Sequence, residues 1–487
     1  MNLEKYSAVQ LGTLVNMKQI SPVEVISYFK ERILHRNPSI NAITYTNFEY
    51  AEKVAADMEQ RIMEGEYLGR FVGVPVALKD FLPSKKGWPN THGGVKCLTT
   101  EDTQDSEFYK AARKLGAIPI GKTNAPHFGF SGTCDNKLYG PTRNPFNTDY
   151  NSGGSSGGTA AAVADGLILL GEGGDAGGSI RIPSAWCNCF GFKPSKGLVP
   201  NYSRPDAFAA THPYCCNGGI TKTVEDSIIL YRNMINYNPK DPNSIPFDFN
   251  MSKAKNPLKI AVTLDYGLFP RTPEICSAIL DVCSEINSNG IIIDMVDFDF
   301  KHSLTDIASM WCMSISVDTW LDMQTWAKQG LNIEADHSDE VSHEFLFWNR
   351  MASRFDINSF RRFNEIRTDI LDAYEKVFES YDMIISPVTA CMPVLNENNG
   401  NTRGPKVING VTMPDNVISF AETFLVNFIG YPAASVPIGF SDDRLPIGMQ
   451  VIGRQYQDAS LLSFCQWIEK MIRPWSHDYV RAFSREV

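Results

Sequence analysis

Two glycine-rich serine clusters near the middle of the chain carry the residue types that could do chemistry. NSGGSSGGT begins at Asn151 and GGDAGGSIRIP ends at Pro183, and no histidine lies between them. A serine hydroxyl is a weak nucleophile at neutral pH, so Ser155 or Ser179 could attack a substrate only if another group takes the proton. The first question is therefore which residue is the base.

Lys79 is one candidate for that base. It ends the apolar run VGVPVAL, so its amine should emerge at the end of a buried strand rather than in solvent. Burial can lower a lysine pKa by up to roughly 3 to 5 units from about 10.4, which would allow a neutral lysine to accept a proton from serine. A lysine that only pairs with Asp80 is the alternative, and spacing alone does not decide between them.

A histidine base is a second alternative. GGSSG at residues 153–157 fits the G-x-S-x-G elbow of the α/β-hydrolases, and His127, His212 and His343 could complete a Ser-His-Asp triad. That elbow must follow a buried strand, whereas RNPFNTDYNS before it has the composition of a loop. No histidine stands in a context that singles it out as catalytic.

Two further motifs are typical of nucleotide-binding proteins. GAIPIGKT at residues 116–123 matches the phosphate-loop pattern, and GEGGDA matches the dinucleotide pattern. The first match has a buried-strand composition and follows a predicted helix, although a phosphate loop needs the order strand, loop, helix. Pro183 and the missing helical pattern after it weaken the second. Nucleotide binding remains a remote alternative.

Composition limits the function classes and the location. The chain has 487 residues, 43% of them hydrophobic, without a linker or a repeat, and its formal charge of −10 argues against a nucleic-acid surface. No signal peptide or membrane span is recognisable, so we expect a soluble cytoplasmic protein without a membrane partner.

The cysteines favour reduced thiols over disulfides or metal ligands. They number eleven and are scattered along the chain. Cys187 with Cys189, and Cys215 with Cys216, lack a second pair of ligands at zinc-finger spacing, so we interpret them as buried side chains. We expect neither a bound metal nor a cofactor.

The order of predicted elements is that of an α/β protein. The first 60 residues have helical periodicity, residues 61–240 alternate strands with helices around the two clusters, and residues 241–487 contain another α/β unit. Within that last part, residues 302–381 are predicted to be helical, and AASVPIGF with LPIGMQVIG is predicted to form a strand hairpin. We expect one large domain over residues 1–487.

The motifs and their order resemble those of the amidase signature family over essentially the whole chain. The matching segments are VGVPVALKD, GKTN, YNSGGSSGGTAAAVADG, GGDAGGSIRIP, GFKPSKG, NFIGYPAASVPIGF and LPIGMQVIG. The resemblance implies a single α/β domain with a mixed, twisted central sheet flanked by helices. It also implies amide hydrolysis by a Ser, a second Ser in a cis peptide, and a Lys.

Transferred to this sequence, the resemblance makes Ser179 the nucleophile, Ser155 the proton relay and Lys79 the base. It implies an acyl-enzyme on Ser179 that water releases. The implied oxyanion hole consists of the N–H groups of Ala176, Gly177, Gly178 and Ser179. The implied supporting residues are Asp175, Arg181 and Ser156.

Some positions depart from the family pattern. Gly174 and Ala176 stand where the family usually has serine or threonine, and His127 stands where it usually has glutamate, so we expect an altered pocket or altered hydrogen bonds around intact catalytic residues. Ile182 replaces the glutamine typical of the A subunit of aspartyl/glutamyl-tRNA amidotransferases. The sequence therefore favours the stand-alone amidase branch, and the amidotransferase branch is the alternative.

The substrate is less well defined by the motifs. We expect a small-molecule amide, linear and by extension cyclic, and a homodimer is compatible with the family. Candidate pocket residues are Trp311 and Cys312 in the helical segment, together with His127. Because apolar residues at helical spacing more often belong to a core, a core position is the alternative for Trp311 and Cys312.

Overall fold

The computed structural model describes residues 1–81, 83–204, 206–208, 211, 213–253, 255 and 259–472. The helices are α1 (Ala8–Asn16), α2 (Pro22–Ile40), α3 (Phe48–Met63), α4 (Glu107–Lys114), α5 (Gly157–Ala164), α6 (Arg181–Trp186), α7 (Val224–Met234), α8 (Pro273–Ser288), α9 (Leu304–Lys328), α10 (Ile333–Asp336), α11 (His343–Ala352), α12 (Ile357–Phe378), α13 (Phe424–Ile429) and α14 (Asp458–Ile472). The strands are β1 (Ile43–Thr46), β2 (Pro75–Lys79), β3 (Pro89–Asn90), β4 (Thr100–Glu101), β5 (Ile118–Thr123), β6 (Arg143–Asn144), β7 (Asn147–Asn151), β8 (Leu170–Asp175), β9 (Phe190–Lys193), β10 (Cys216–Thr221), β11 (Lys259–Val262), β12 (Ile292–Met295), β13 (Met383–Pro387), β14 (Val407–Ile408), β15 (Val411–Thr412), β16 (Ala433–Phe440) and β17 (Pro446–Gly453).

An 11-stranded sheet forms the centre of the molecule, in the order β1-β5-β2-β8-β10-β9-β16-β17-β13-β11-β12. Strand β2 pairs in parallel with β5 and β8, and β11 pairs in parallel with β12 and β13, whereas the six remaining pairings are antiparallel. The sheet is therefore mixed, and helices flank it. The predicted single α/β domain with a mixed central sheet is confirmed.

The parallel pairing of β2 with β8 places the predicted site residues at the carboxyl ends of these two strands. Val76 lies opposite Leu170 and Ala77 opposite Gly171, so both strands run in the same direction toward their last residues. Every residue of β2 is buried, as its apolar composition requires. The end of β2 at Lys79 and the end of β8 at Asp175 therefore face the same side of the molecule.

Most predicted elements are present. Helices α9 to α12 fill the segment predicted to be helical, and β16 pairs with β17 as the predicted hairpin. Helix α2 begins at Pro22 after a capping box between Ser21 and Glu24. The first 60 residues differ from the prediction in one respect, because Ile43–Thr46 forms β1 and joins the sheet.

Neither nucleotide-binding motif has the predicted loop geometry. GAIPIGKT ends in β5, a fully buried strand, and Lys122 within it pairs with the buried carboxylate of Asp102 at 2.6 Å. GEGGDA lies largely within β8. Within the described part of the chain, no helix is long and apolar enough to cross a membrane.

Candidate active site

Lys79 and the first serine cluster meet at the carboxyl end of β2. Lys79 is 1% exposed, and its Nζ donates a hydrogen bond to Ser155 Oγ over 2.6 Å. The Gly154–Ser155 peptide bond is cis. The Gly154 N–H donates to the carbonyl of Gly132 at 2.8 Å, which fixes this segment against a neighbouring loop. The structure therefore joins the lysine to the serine across 76 positions of sequence.

Burial changes the chemistry of Lys79. Because desolvation disfavours the ammonium form, the pKa of Lys79 falls to about 8, although the charges of Asp175 and Glu172 act to raise it. Glu172 is fully buried in the neighbouring strand β8, and its Oε2 accepts the Lys79 backbone N–H at 3.2 Å. Burial raises the pKa of Glu172 to about 7. A substantial fraction of Lys79 is thus neutral slightly above neutral pH. The alternative pairing with Asp80 is absent among the described contacts, since Asp80 bonds to Thr91 instead.

A buried ion pair shapes the second serine cluster. Asp175 accepts two hydrogen bonds from Arg181, at 2.8 and 2.9 Å, and neither side chain is exposed. Although burial raises the pKa of Asp175, the Arg181 charge outweighs it and lowers that pKa to about 2. The carboxylate also accepts the N–H of Gly178 at 2.8 Å and that of Ile180 at 3.3 Å. The pair therefore holds residues 176–179 in one conformation. We call these four residues the glycine turn.

Arg181 has no donor left for a substrate. Its remaining N–H groups bond to the carbonyl of Thr423 and to the side chains of Gln450 and Asn427, at 2.6 to 3.0 Å. The five bonds match the five donors of a guanidinium group. Arg181 thus bonds the turn after β8 to the segment around α13 and to β17.

The two serine clusters are also bonded to each other. The Ser156 N–H donates to the carbonyl of Ser179 at 3.1 Å, and Ser156 Oγ accepts the N–H of Gly174 at 3.4 Å. Ser155 is 2% exposed, whereas Ser179 is partly exposed. Ser179 is therefore the partly exposed serine of the two clusters, and its carbonyl is bonded to the residue that follows Ser155.

The glycine turn offers N–H groups to an anion, with one correction to the predicted set. Among the described residues, no acceptor lies within hydrogen-bond distance of the N–H groups of Gly177 and Ser179. Gly178 was expected to contribute as well, but its N–H is already bonded to Asp175. Gly178 has a φ of +126°, and a Cβ there would lie 2.0 Å from Thr423 Oγ1, so only glycine fits.

Trp311 closes the other side of the glycine turn. Its indole N–H donates to the carbonyl of Ala176 at 3.0 Å, and a Cβ on Gly177 would lie 2.6 Å from its ring. Aromatic rings continue from Trp311 through contacts with centroids 4.8 to 6.3 Å apart. We call this set the aromatic wall, and it consists of Trp311, Phe130, Phe345, Phe128 and Trp326. The wall gives the site an apolar side.

The two other predicted pocket residues have structural positions instead. Cys312 lies in α9 and is completely buried in the apolar core beneath helices α9 to α12, which we call the helical layer. The prediction that it lines a pocket is therefore wrong. His127 is 2% exposed, and its Nε2 accepts the N–H of Lys137 at 3.2 Å. Burial lowers the pKa of His127 to about 3, so the ring is neutral. The tight packing of both side chains could not be read from their spacing.

Several residues of the site come from the C-terminal half and were missed by sequence reasoning. Thr423 Oγ1 donates to the carbonyl of Gly177 at 2.6 Å, and Asn427 Nδ2 donates to Asp175 Oδ1 at 3.0 Å. Their contacts span 246 and 252 positions of sequence. Asn427 is the first residue of the matching segment NFIGYPAASVPIGF, which was the signal available for it, and Thr423 lies four residues before that segment. The site thus depends on both halves of the chain.

Comparison with known proteins decides the family. The sequence profile of the Amidase family matches residues 24–462. The chain belongs to the amidase family. An acylamidase from Rhodococcus erythropolis is 30% identical over 98% of this chain and 97% of its own length. The predicted recognition as an amidase signature protein is confirmed, and so is the expected class, a hydrolase that acts on amides.

A solved structure and the tRNA-dependent amidotransferases also resemble this amidase. The crystal structure of a bacterial aryl acylamidase of the amidase signature family has a TM-score of 0.95 and 37% identity, with complete coverage of both chains. The A subunit of the glutamyl-tRNA(Gln) amidotransferase from Halalkalibacterium halodurans is 30% identical over 95% of this chain and 96% of its own length. Both branches weighed in the sequence analysis are thus represented among its relatives.

Proposed function

We propose that this amidase hydrolyses a carboxylic amide through an acyl-enzyme on Ser179, with Ser155 as proton relay and Lys79 as base. The observation that carries the proposal is the 2.6 Å hydrogen bond between the buried Lys79 amine and Ser155 Oγ. A lysine whose pKa is lowered to about 8 can accept a proton near that pH. Ser179 is partly exposed, and its carbonyl accepts the N–H of Ser156, the residue after Ser155.

The proposed reaction moves one proton along the two serines. Neutral Lys79 takes the proton of Ser155, and Ser155 takes that of Ser179 as Ser179 Oγ attacks the amide carbon. When the tetrahedral intermediate collapses, the proton returns by the same route to the leaving nitrogen. Because an amine anion leaves poorly, this protonation is as important as the attack. Water then attacks the ester on Ser179 and releases the acid.

The glycine turn would stabilise the negative oxygen of the intermediate. We assign the oxyanion hole to the N–H groups of Ala176, Gly177 and Ser179, while Gly178 keeps the turn in place through Asp175. One such donor contributes about 2.7 to 4 kcal/mol to transition-state stabilisation. The buried contacts of Asp175 support this role, since they fix the turn before substrate binds.

We expect kcat/KM to rise with pH through an inflection near 8. Lys79 is the base in its neutral form, so activity is lost as pH falls below the pKa of about 8. In Glu172→Gln the inflection should move to lower pH, because the Glu172 charge raises the pKa of Lys79. A pH profile of amide hydrolysis for both proteins measures this. A rate that does not change with pH across this inflection would contradict Lys79 as the base.

The aromatic wall is the reason to propose an amide that carries an aromatic or other large apolar group as the substrate. Trp311 contacts the glycine turn directly, and Phe128 and Trp326 at the other end of the wall are partly exposed. An apolar side of the glycine turn favours aromatic groups through burial and ring contacts. The aryl acylamidase among the relatives supports the same substrate class.

Trp311→Ala should lower the preference for aryl amides over small aliphatic amides. The change removes the ring from the glycine turn and the bond to the Ala176 carbonyl. We expect kcat/KM for an anilide to fall at least about tenfold relative to propionamide, a ratio typical of altered apolar pocket contacts. Parallel kinetics with the two substrates measure it, and Trp348→Ala, which changes a partly exposed tryptophan outside the wall, is the control. An unchanged ratio in Trp311→Ala would exclude the wall from substrate recognition.

The similarity to the amidotransferases leaves one second candidate. A chain with that function would copurify with tight partner chains and support ammonia-dependent amidation of charged tRNA. If the isolated chain hydrolyses simple amides, that result would support the stand-alone enzyme instead. We also propose that the enzyme is cytoplasmic, which its eleven free cysteines support, and that it forms a homodimer without binding nucleic acid.

A further inference from the structure

A cysteine, a histidine and a glutamate from distant segments lie together near the aromatic wall. Cys97 is in the short helical turn Lys96–Leu98, and Glu340 ends the turn Ser338–Glu340, which follows His337. One ligand atom from each, the Cys97 sulfur, a ring nitrogen of His337 and a carboxylate oxygen of Glu340, lie within 4.8 Å of one another. All three residues are partly exposed, so an ion can reach them.

The carboxylate of Glu340 is held in a fixed orientation. Its Oε2 accepts the backbone N–H of Cys97 at 2.7 Å, and its Oε1 lies 3.2 Å from His337 Nδ1. Nitrogen and oxygen ligands of a tetrahedral zinc ion, each about 2.0 to 2.2 Å from the metal, lie about 3.3 to 3.5 Å apart. The observed separation is close to that spacing. The N–H bond to Oε2 is the kind of outer contact that orients a metal ligand.

We propose that these three residues bind a divalent zinc ion, with water as the fourth ligand. The ligands would be Cys97 Sγ, His337 Nδ1 and Glu340 Oε1. The thiol loses its proton to solvent when the sulfur binds, so the two negative ligands balance the charge of the metal. A thiolate with an imidazole selects zinc over magnesium or calcium, which prefer oxygen ligands. The exposed Asp339 adds negative charge beside the site.

The site would connect the core of the enzyme to the helical layer that carries part of the wall. Cys97 belongs to the loops after β2, whereas His337 and Glu340 lie between α10 and α11. Phe345 in α11 stacks on Phe128 with centroids 4.8 Å apart. A zinc ion at this position stabilises the wall without contacting Ser179 or Lys79. Because it binds the folded chain, it raises the melting temperature.

Binding of cobalt(II) and zinc to the metal-depleted full-length protein tests the site. We expect one Co²⁺ per chain with the near-ultraviolet charge-transfer absorption of a cobalt–thiolate bond, displaced by Zn²⁺. Cys97→Ala should abolish that absorption and weaken Zn²⁺ binding by more than about 100-fold, beyond the loss caused by removing an outer-shell contact. His337→Ala should weaken binding similarly. Zn²⁺ should raise the melting temperature of the unmodified protein and leave that of Cys97→Ala unchanged.

Cys276→Ala is the matched control, since Cys276 is another partly exposed cysteine and lies in α8. It should keep both the absorption and the Zn²⁺ affinity. A protein that binds no stoichiometric metal, or whose absorption and affinity survive in Cys97→Ala, overturns the proposal and leaves a hydrogen-bonded cluster. These readouts do not require catalysis, so their failure is distinct from failure of the proposed hydrolytic function.

Discussion

Ser179→Ala is expected to reduce kcat/KM for an amide substrate by at least about 10⁴-fold, the scale on which loss of a catalytic nucleophile acts. The substitution removes the oxygen that would form the acyl-enzyme and leaves the glycine turn intact. Ser179 is partly exposed, and its carbonyl bond to Ser156 does not involve the hydroxyl, so folding should be preserved. Steady-state hydrolysis of an anilide measures the loss, and thermal unfolding verifies that the variant is folded.

Ser184→Ala is the control for loss of a nearby hydroxyl. Ser184 is buried in α6, where its Oγ donates to the Ile180 carbonyl at 2.7 Å. Loss of that hydrogen bond should cost about 1 kcal/mol of stability and keep activity within about tenfold of the original. If Ser179→Ala hydrolyses amides as well as Ser184→Ala does, Ser179 is not the nucleophile.

Lys79→Met should produce the second large loss, a fall in kcat/KM of about 10³- to 10⁴-fold. Methionine has a similar volume and no amine, so it fills the buried site while removing the proton acceptor of Ser155. A general base alone contributes about 10²- to 10⁴-fold, and groups that act as a unit lose more together than separately. The same anilide assay, run across the pH range around the Lys79 pKa of about 8, measures the effect and should show no inflection there.

Lys222→Met is the control for replacing a buried lysine. Lys222 is 1% exposed just after β10, its pKa is also lowered by burial, to about 7, and its amine bonds to the Glu4 backbone. Its replacement should change stability rather than the rate of the folded fraction. Equal rates for the two methionine variants would show that a buried amine is dispensable at position 79.

The residues at the carboxyl ends of β2 and β8 were largely predictable because local patterns specify them. The apolar run before Lys79 predicts a buried strand with an amine at its end, and β2 has that form. The two serine clusters adjoin β8, α5 and α6, where their glycines allow tight turns. The family resemblance then supplied the roles that composition left open between Lys79 and a histidine.

What could not be predicted depends on contacts between distant segments. Gln450 reaches Arg181 across 269 positions, and no local pattern marks that pairing. His127 was a candidate pocket residue because it stands where the family usually has glutamate, yet it is 2% exposed and its Nε2 accepts the Lys137 N–H. Cys97 and His337 likewise come together only in the folded chain. Long-range packing, rather than local propensity, determines these positions.

Locating the acyl group during turnover tests the proposed mechanism most directly. The enzyme is mixed with an activated aryl ester or anilide, quenched in acid within the first turnover, digested, and analysed by mass spectrometry. The mechanism predicts one acyl group per chain, bound to Ser179, and none in Ser179→Ala. An acyl group on Ser155 or on any other residue, or one that persists in Ser179→Ala, would contradict it.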